Sequence, residues 1–405
     1  MVTQPKAPSG DEGRHTGPLS GVRILDLSTV VMGPYATMIL ANLGADIIKL
    51  EPPAGDIMRQ VGPMNNELMG HSFVNANHGK RSLVLDLKKP EARLAALKLA
   101  ETADVFVHNI RPAALSRLGL DYQSISAINP KIIFASAVGF GSGGRYSGKP
   151  AYDDLIQGIV GIPSLVLEGG SDVPRYLPTP IADRSVALYL SSMISAALYA
   201  REISGYGQSI EVPMFEVLSQ YVLGDHMAGL TYDPPQGGPH YARLISKDRR
   251  PYKTKDSYIC ALIYNDTHWK AFFNVIGQKQ LFYDDERFSS QTARAKNIDA
   301  VYAFVASELE MKTTSDWLVT FEENDIPAMP LNTIETLLDD PHLKDVGFFE
   351  YREHPSEGSV RIMNPPETWS ATPSYVQGFA PNLGEHTIEI LTEIGMSQKE
   401  IDAIL

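Results

Sequence analysis

The sequence predicts an α/β protein built on a doubly wound parallel sheet, with a smaller α+β domain beside it. Three observations predict it: a strand–helix–strand unit over residues 21–51, the same alternation carried on to residue 137, and a long amphipathic stretch from Asp183 to about Ser204. Parallel neighbours need a crossover of a dozen or more residues, which a helix supplies.

Gly21-Val-Arg-Ile-Leu-Asp-Leu reads as the first strand. Gly33-Pro34 follows, and a proline suits the first turn of a helix, where its missing N–H costs nothing. Tyr35, Met38, Ile39 and Leu43 give that helix an apolar side, and Gly44 is placed to cap its end. Residues 46–51 form the second strand, stopped by Pro52-Pro53. Strands are expected again over 82–87, 104–108 and 131–137, and helices over 90–102 and 112–118, the latter ended by Gly119. The last of these strands feeds the loop Gly139-Phe-Gly-Ser-Gly-Gly144. In the long stretch, Val186, Leu190, Met193, Ile194, Ala197 and Leu198 share a face, and Gly205 lies just beyond its end.

Near residue 224 the texture changes. Residues 233–239 are a Pro/Gly-rich loop, 252–264 alternate as an antiparallel strand does, and helical patterns follow over 267–276, 300–309 and 315–323. A last helix pair is expected over 387–394 and 397–405. The implied organisation is a flexible leader (1–18), a large domain with linker (19–224), a small domain (225–330) and a returning segment that completes the large domain (331–405).

The 405 residues are 43% hydrophobic and 20% charged, ordinary for a globular chain, and the formal net charge is −13. Such a surface repels phosphate backbones, so nucleic acid is not an expected partner. The single cysteine, Cys260, excludes a disulfide framework within the chain. No apolar targeting segment and no membrane-length apolar run is visible, so a soluble cytoplasmic protein is expected.

Two familiar site patterns fail. The turn after the first strand holds one glycine, not G-x-G-x-x-G, so a dinucleotide cofactor with Glu51 on its ribose is not supported. Phe140 sits where the first glycine of G-x-S-x-G must precede Ser142. The ten histidines show no metal-ligand spacing, and neither His71/His78 nor His226/His240 has a carboxylate at ligand spacing, so no metal is expected. Arg111 and Lys88 follow strands, where ligands of open α/β sheets bind, and read either as phosphate contacts or as solvated charge. Asp183 opens the long helix. It reads either as an N-cap or as a carboxylate held ready at the positive helix end.

Several stretches together resemble the class III CoA-transferase family, whose members include formyl-CoA transferases, carnitine CoA-transferases and 2-methylacyl-CoA racemases. They are Pro18-Leu-Ser-Gly-Val-Arg-Ile-Leu-Asp-Leu, Gly33 through Pro53, Gly55-Asp-Ile-Met-Arg59, Asn77 through Lys88, Ala103 through Pro112, Arg117-Leu-Gly-Leu and Leu383-Gly-Glu-His386. The resemblance runs from about residue 18 to 395. It implies a Rossmann-like large domain, an interlocked homodimer, and no resident cofactor, with the coenzyme A thioester and a small carboxylic acid as substrates. Asp183, in Pro180-Ile-Ala-Asp-Arg-Ser185, matches the family's nucleophile, which lies downstream of a Tyr–acidic pair, here Tyr152-Asp153. Coenzyme A contacts carry over to Val31, Met32, Leu85, Lys88, Asn109, Arg111 and Arg117. Two positions depart from relatives. Pro52 stands where several have a CoA-contacting arginine, and Val31 where formyl-CoA transferases have a glutamine near the reacting carbonyl. The four-glycine lid of formyl-CoA transferases is also absent, with only Gly237-Gly238 as an echo. Formyl and oxalyl groups are therefore less favoured as substrates. The related racemases place His where Tyr152 stands, and tyrosine, with an ordinary pKa near 10, is a poor base at neutral pH. Transfer is thus favoured over racemisation, the first alternative, and over a coenzyme A-binding protein without activity, the second. Succinyl-CoA is the expected donor. Arg184, Arg243, Arg249 and Arg250 are candidates to pair a second carboxylate on a dicarboxylic substrate.

Overall fold

A computed structural model describes residues 17–405; nearly all of the expected leader lies outside the described residues. The chain divides into two compact units, one of residues up to 159, 179–219 and 342–405, the other of residues 160–178 and 220–341.

The first unit is built on a six-stranded sheet in the order β3-β2-β1-β4-β5-β6, every pair parallel. The strands are β1 (Arg23–Asp26), β2 (Asp46–Glu51), β3 (Lys80–Val84), β4 (Val105–His108), β5 (Ile133–Val138) and β6 (Gln208–Pro213). Strand order reverses between β1 and β4, and ligands of such sheets bind outside the carboxyl ends at that point. Leu25, Ile48, Leu83, Phe106 and Phe134 build one core with Leu99 of the helix Pro90–Thr102. Ile390 and Ile401, from the C-terminal helices Thr387–Glu393 and Gln398–Ile404, complete it, so the end of the chain is part of this unit's core.

Beneath the turns that follow β1 and β2 lies a network of buried charges. Asp26 accepts hydrogen bonds from the Ser28 N–H and hydroxyl, from Thr37 Oγ1 at 2.6 Å and from Lys80 Nζ at 3.2 Å. Burial pushes the Asp26 carboxyl up, but Lys80, Lys49 and the two hydroxyls outweigh it and hold it below its ordinary value. Burial likewise pushes Lys80 down to about 8, against the pull of Asp26. Lys49 pairs with Asp56 at 3.0 Å. Glu51, the ribose candidate of the failed dinucleotide pattern, is gripped through both oxygens by Arg59 at 2.7 Å. Arg59 also donates to the Pro381 carbonyl and lies 3.6 Å over the Phe73 ring.

This network explains one boundary that differs from the sequence reading. β3 begins at Lys80 rather than at residue 82, because the Lys80 ammonium is buried among acceptors instead of marking a solvated strand end. β6 was not expected: Gln208-Ser-Ile-Glu-Val-Pro is a mostly exposed edge strand without an apolar run.

The second unit has a three-stranded antiparallel sheet, Tyr252–Lys253, Tyr258–Ala261 and Ala328–Pro330. The expected continuous strand over 252–264 is broken by a turn in which Thr254 Oγ1 donates to Asp256 and accepts from the Ser257 N–H. The helices Asp266–Val275, Ile298–Leu309 and Thr314–Glu323 surround an aromatic core that includes Trp269, Phe272, Phe273, Trp317 and Phe321.

Candidate active site

A cavity of about 240 Å³ opens in the first unit beyond the carboxyl ends of β1, β4 and β5. Its wall draws Thr29, Val30 and Met32 from the turn after β1, Asn109 and Arg111 from after β4, and Gly139 from after β5; Lys149, Tyr152 and Asp183 close it. This is the switch-point position that the sheet order dictates.

The turn after β1 is built under constraint. A Cβ on Gly33 would fall 2.2 Å from the Ser28 side chain, so only glycine lets the helix Met32–Asn42 start this close to the strand end. Val30 has φ of 73°, a left-handed conformation that a β-branched residue adopts only under compulsion. The compulsion is visible. Its N–H donates to Asp56 at 3.2 Å, and the Asn109 side chain clamps Thr29 by accepting from its N–H at 3.1 Å and donating to its carbonyl at 2.8 Å. The buried Lys49–Asp56 pair thus positions the cavity floor.

The helix carrying Asp183 spans Ile181–Ser204 and begins two residues before the expected start. Asp183 is therefore the third helical residue, and the N-cap position falls to Pro180 with no side-chain cap. The Asp183 N–H, an orphan donor of the first turn, is satisfied by Asp153 Oδ1 at 2.9 Å. Gln157 Nε2 donates to the other Asp153 oxygen at 2.6 Å. Capping is thus done by Asp153, and among the described residues no donor engages the Asp183 carboxyl. Burial pushes that carboxyl up to about 7, the neighbouring Asp153 carboxylate adds to the push, and Arg184 opposes it. Arg184 itself lies 4.3 Å over the Tyr35 ring.

Of the expected site residues, Met32, Asn109, Arg111, Tyr152 and Asp183 line the cavity together. Val31 precedes Met32 at the helix start, and Asp153, which does not line the cavity, accepts from the Asp183 N–H. Leu85 does not line it; its side chain is 1% exposed in the core, because it packs with Leu83 and Leu99. Lys88 and Arg117 are exposed and stand off the cavity wall. Several backbone N–H groups of the Gly139–Gly144 loop are already engaged. The Gly141 N–H donates to Glu216 at 2.9 Å, the Ser142 N–H to Glu211 at 2.8 Å and the Gly144 N–H to the Gly141 carbonyl at 3.2 Å. Sequence reasoning missed Val30, Lys149 and Glu211 on the wall. Lys149 carried a signal, a cation between a glycine-rich turn and Tyr152; a left-handed valine carries none.

Among the described residues no cluster of three His, Cys, Asp or Glu is arranged to hold a metal ion. The His226/His240 pair does meet a carboxylate after all: Glu168, remote in sequence, lies 3.2 Å from His240 Nε2 within the second unit.

Comparison with known proteins identifies the family. CoA-transferase family III matches residues 19–387. The chain is 33% identical to a succinate–glutarate CoA-transferase of Agrobacterium fabrum over 93% of this chain and 96% of that one. It is 35% identical to an acetyl-CoA:oxalate CoA-transferase of Acetobacter aceti over 78% of this chain and 81% of the relative. The crystal structure of a CAIB/BAIF family protein from Brucella suis superposes with a TM-score of 0.78 at 29% identity, covering 94% of this chain and all of the other. A switch-point cavity walled by cations and an unpaired carboxyl, in a chain matched along nearly its whole length, makes this protein a member of CoA-transferase family III.

Proposed function

We propose that the protein moves coenzyme A from an acyl-CoA donor to a carboxylic acid acceptor through covalent intermediates on Asp183. The observation that carries this reading is the Asp183 carboxyl itself: it borders the cavity, makes no structural hydrogen bond among the described residues, and titrates near neutral pH. A desolvated carboxylate of raised pKa is a stronger nucleophile than a solvated one.

The ionised Asp183 oxygen attacks the donor thioester carbonyl, and the C–S bond breaks to give an acyl–aspartyl anhydride and coenzyme A thiolate. The thiolate attacks the Asp183 carbonyl, releasing the donor acid and leaving an aspartyl-CoA thioester. The acceptor carboxylate attacks that thioester to form a second anhydride, and the thiolate then takes the acceptor acyl group, restoring Asp183. Each step exchanges one activated acyl bond for another, so no ATP is consumed. Water must stay out, because it hydrolyses both intermediates.

In this reading Asp153 holds the Asp183 backbone and keeps its carboxyl poised, and Tyr152 borders the thioester. Arg111 and Lys149 supply cations to the anionic coenzyme, with Lys88 and Arg117 further along it. Met32, Asn109, Val31 and the backbone near Leu85 complete its contacts. Succinyl-CoA is the donor and a small dicarboxylate the acceptor, in keeping with relatives named for succinate, glutarate and oxalate. The working form is an interlocked homodimer in the cytoplasm, as the family resemblance implies. The test is incubation with succinyl-CoA and hydroxylamine followed by mass spectrometry: a hydroxamate at Asp183 is expected, and full turnover with Asp183 unmodified would refute the assignment.

A further inference from the structure

Residues 139–152 supply much of the wall of the cavity at Asp183, including Lys149 and Tyr152. No helix or strand runs through this stretch, which lies between β5 and the helix Asp153–Ile159 and holds five glycines: 139, 141, 143, 144 and 148. Such a chain has little stiffness of its own, so its shape is set by what it is fastened to.

The fastenings come from one place in the first unit, the end of β6 and the first turn of the helix Met214–His226. The Gly141 N–H donates to Glu216 and the Ser142 N–H to Glu211, while the Phe215 N–H donates to the Gly139 carbonyl at 3.0 Å. A Cβ on Gly141 would fall 2.7 Å from Glu216 Oε1, and one on Gly139 would fall 2.1 Å from Ala151 Cβ, so the close approach requires glycine at both positions. The Phe140 ring packs on Tyr146 and Phe215, with centroids 5.4 and 5.7 Å away. Lys149 Nζ in turn lies 4.6 Å over the Tyr146 ring. The two glutamates, the loop, the aromatic rings and the lysine are thus one connected set.

Glu211 is out of place on charge alone. Its carboxylate stands on the wall of a cavity that, in the transfer reading, receives an anionic coenzyme. Among the described residues neither Glu211 nor Glu216 pairs with a cation. A bare carboxylate there weakens anion binding, so its presence calls for another role. We propose that Glu211 and Glu216 are positioning residues, whose carboxylates fasten the Gly139–Gly144 loop and thereby hold Lys149 and Tyr152 at the cavity for the coenzyme. The proposal rests on the transfer reading for the identity of the ligand.

Glu216 does not line the cavity, so a change there reaches the ligand only through the loop. In Glu216→Ala, KM for succinyl-CoA should rise about tenfold, as loss of a charge-assisted hydrogen bond implies. The value of kcat should change much less, because Asp153 holds Asp183 independently. Glu216→Gln loses the same charge and the same interaction with the helix N-terminus but keeps an acceptor oxygen, and should recover most of the binding. The double variant Glu211→Ala, Glu216→Ala should bind more weakly still, although it removes negative charge near the anion. Trypsin supplies a readout that needs no turnover, since Arg145 is exposed within the stretch. Cleavage of the full-length protein after Arg145, followed by mass spectrometry, should be about tenfold faster in the double variant than in the wild type. A lowered or unchanged KM in the alanine variants would mean that the carboxylates only repel the anion or do nothing for it. Glu216→Gln behaving as Glu216→Ala would assign the effect to charge, and unchanged cleavage would mean that the loop holds itself. Each of these results overturns the proposal. The two readings fail separately: an unlabelled wild-type Asp183 sinks the transfer reading, whereas cleavage after Arg145 tests the loop without any reaction.

Discussion

Two groups of carboxylates in the first unit meet opposite fates. Asp26 and Glu51 are fully enclosed, each against a cation and several donors, and both are held below their ordinary pKa despite burial. Asp183 is only partly enclosed, faces another carboxylate, and is pushed up to about 7. Burial raises a carboxyl's pKa in every case; what decides the outcome is whether the pocket supplies compensating partners. The compensated group builds the scaffold under the β1 and β2 turns. The uncompensated one is the carboxyl on which the proposed transfer relies.

That contrast is broken most easily at its two extremes. Asp183→Asn should lower CoA transfer about 10⁴-fold or more, as removal of a covalent nucleophile does, and should abolish the hydroxamate adduct, while the far-UV spectrum is unchanged. A variant that still transfers at the native rate would place the chemistry elsewhere. Arg59→Ala should instead unfold the protein more easily by about 3–5 kcal/mol, because it strands Glu51 in the interior. Urea denaturation measures this, and the double variant Glu51→Gln, Arg59→Met should recover part of the loss. If Arg59→Ala is neutral, the buried pair is not what fixes the β2 turn.

The same contrast governs how much was legible in the sequence. The strand–helix–strand unit from β1 to β2 was readable because Ile24, Leu25, Ile47 and Ile48 form short apolar runs punctuated by Gly33-Pro34 and Gly44. Buried charge hid the rest: a lysine reads as a strand end, yet Lys80 is inside β3. The hairpin Phe349–His354 and Gly358–Met363 is hard to read because its alternation, Phe349 and Tyr351 against Glu350 and Arg352, is short and the strands are largely exposed. Asp183 could be located near a helix start, but not separated from a capping role, because that depends on Asp153 arriving from another segment. Val30's left-handed backbone likewise depends on Asp56 and Asn109, two contacts that no local pattern encodes. Leu85 shows the converse: a matching position whose side chain the core has taken.

Opposite pKa shifts also predict opposite pH dependences. Asp26 and Glu51 bind protons less tightly folded than unfolded, so their contribution is present above about pH 4 and is lost as pH falls through the folded values. For Asp183 the folded value lies above the ordinary 3.8, so the folded state binds the proton more tightly, and stability falls as pH rises from about 4 to above 7. Asp183→Asn removes that loss. It should match the wild type near pH 4 and exceed it by on the order of 2 kcal/mol at pH 8, less than the whole shift would give because the carboxyl faces an open cavity. Urea titrations at the two pH values decide it; equal stability at pH 8 would mean the carboxyl is not desolvated.

The smallest effect separates the two causes of the Asp183 shift. Asp153→Asn removes the like charge, yet its Oδ1 can still accept the Asp183 N–H, and Gln157 can turn its carbonyl toward the new amide. Burial, the larger cause, is left in place. The midpoint for labelling of Asp183 by succinyl-CoA should therefore move below 7 without returning to 3.8, and labelling at pH 6 should become a few-fold faster. A midpoint that does not move would assign the whole shift to desolvation and leave Asp153 only its backbone contact. A slower reaction at every pH would mean that the acceptor at residue 153 must be charged to hold the helix start, and that the Asp183 carboxyl owes its place, rather than its pKa, to Asp153.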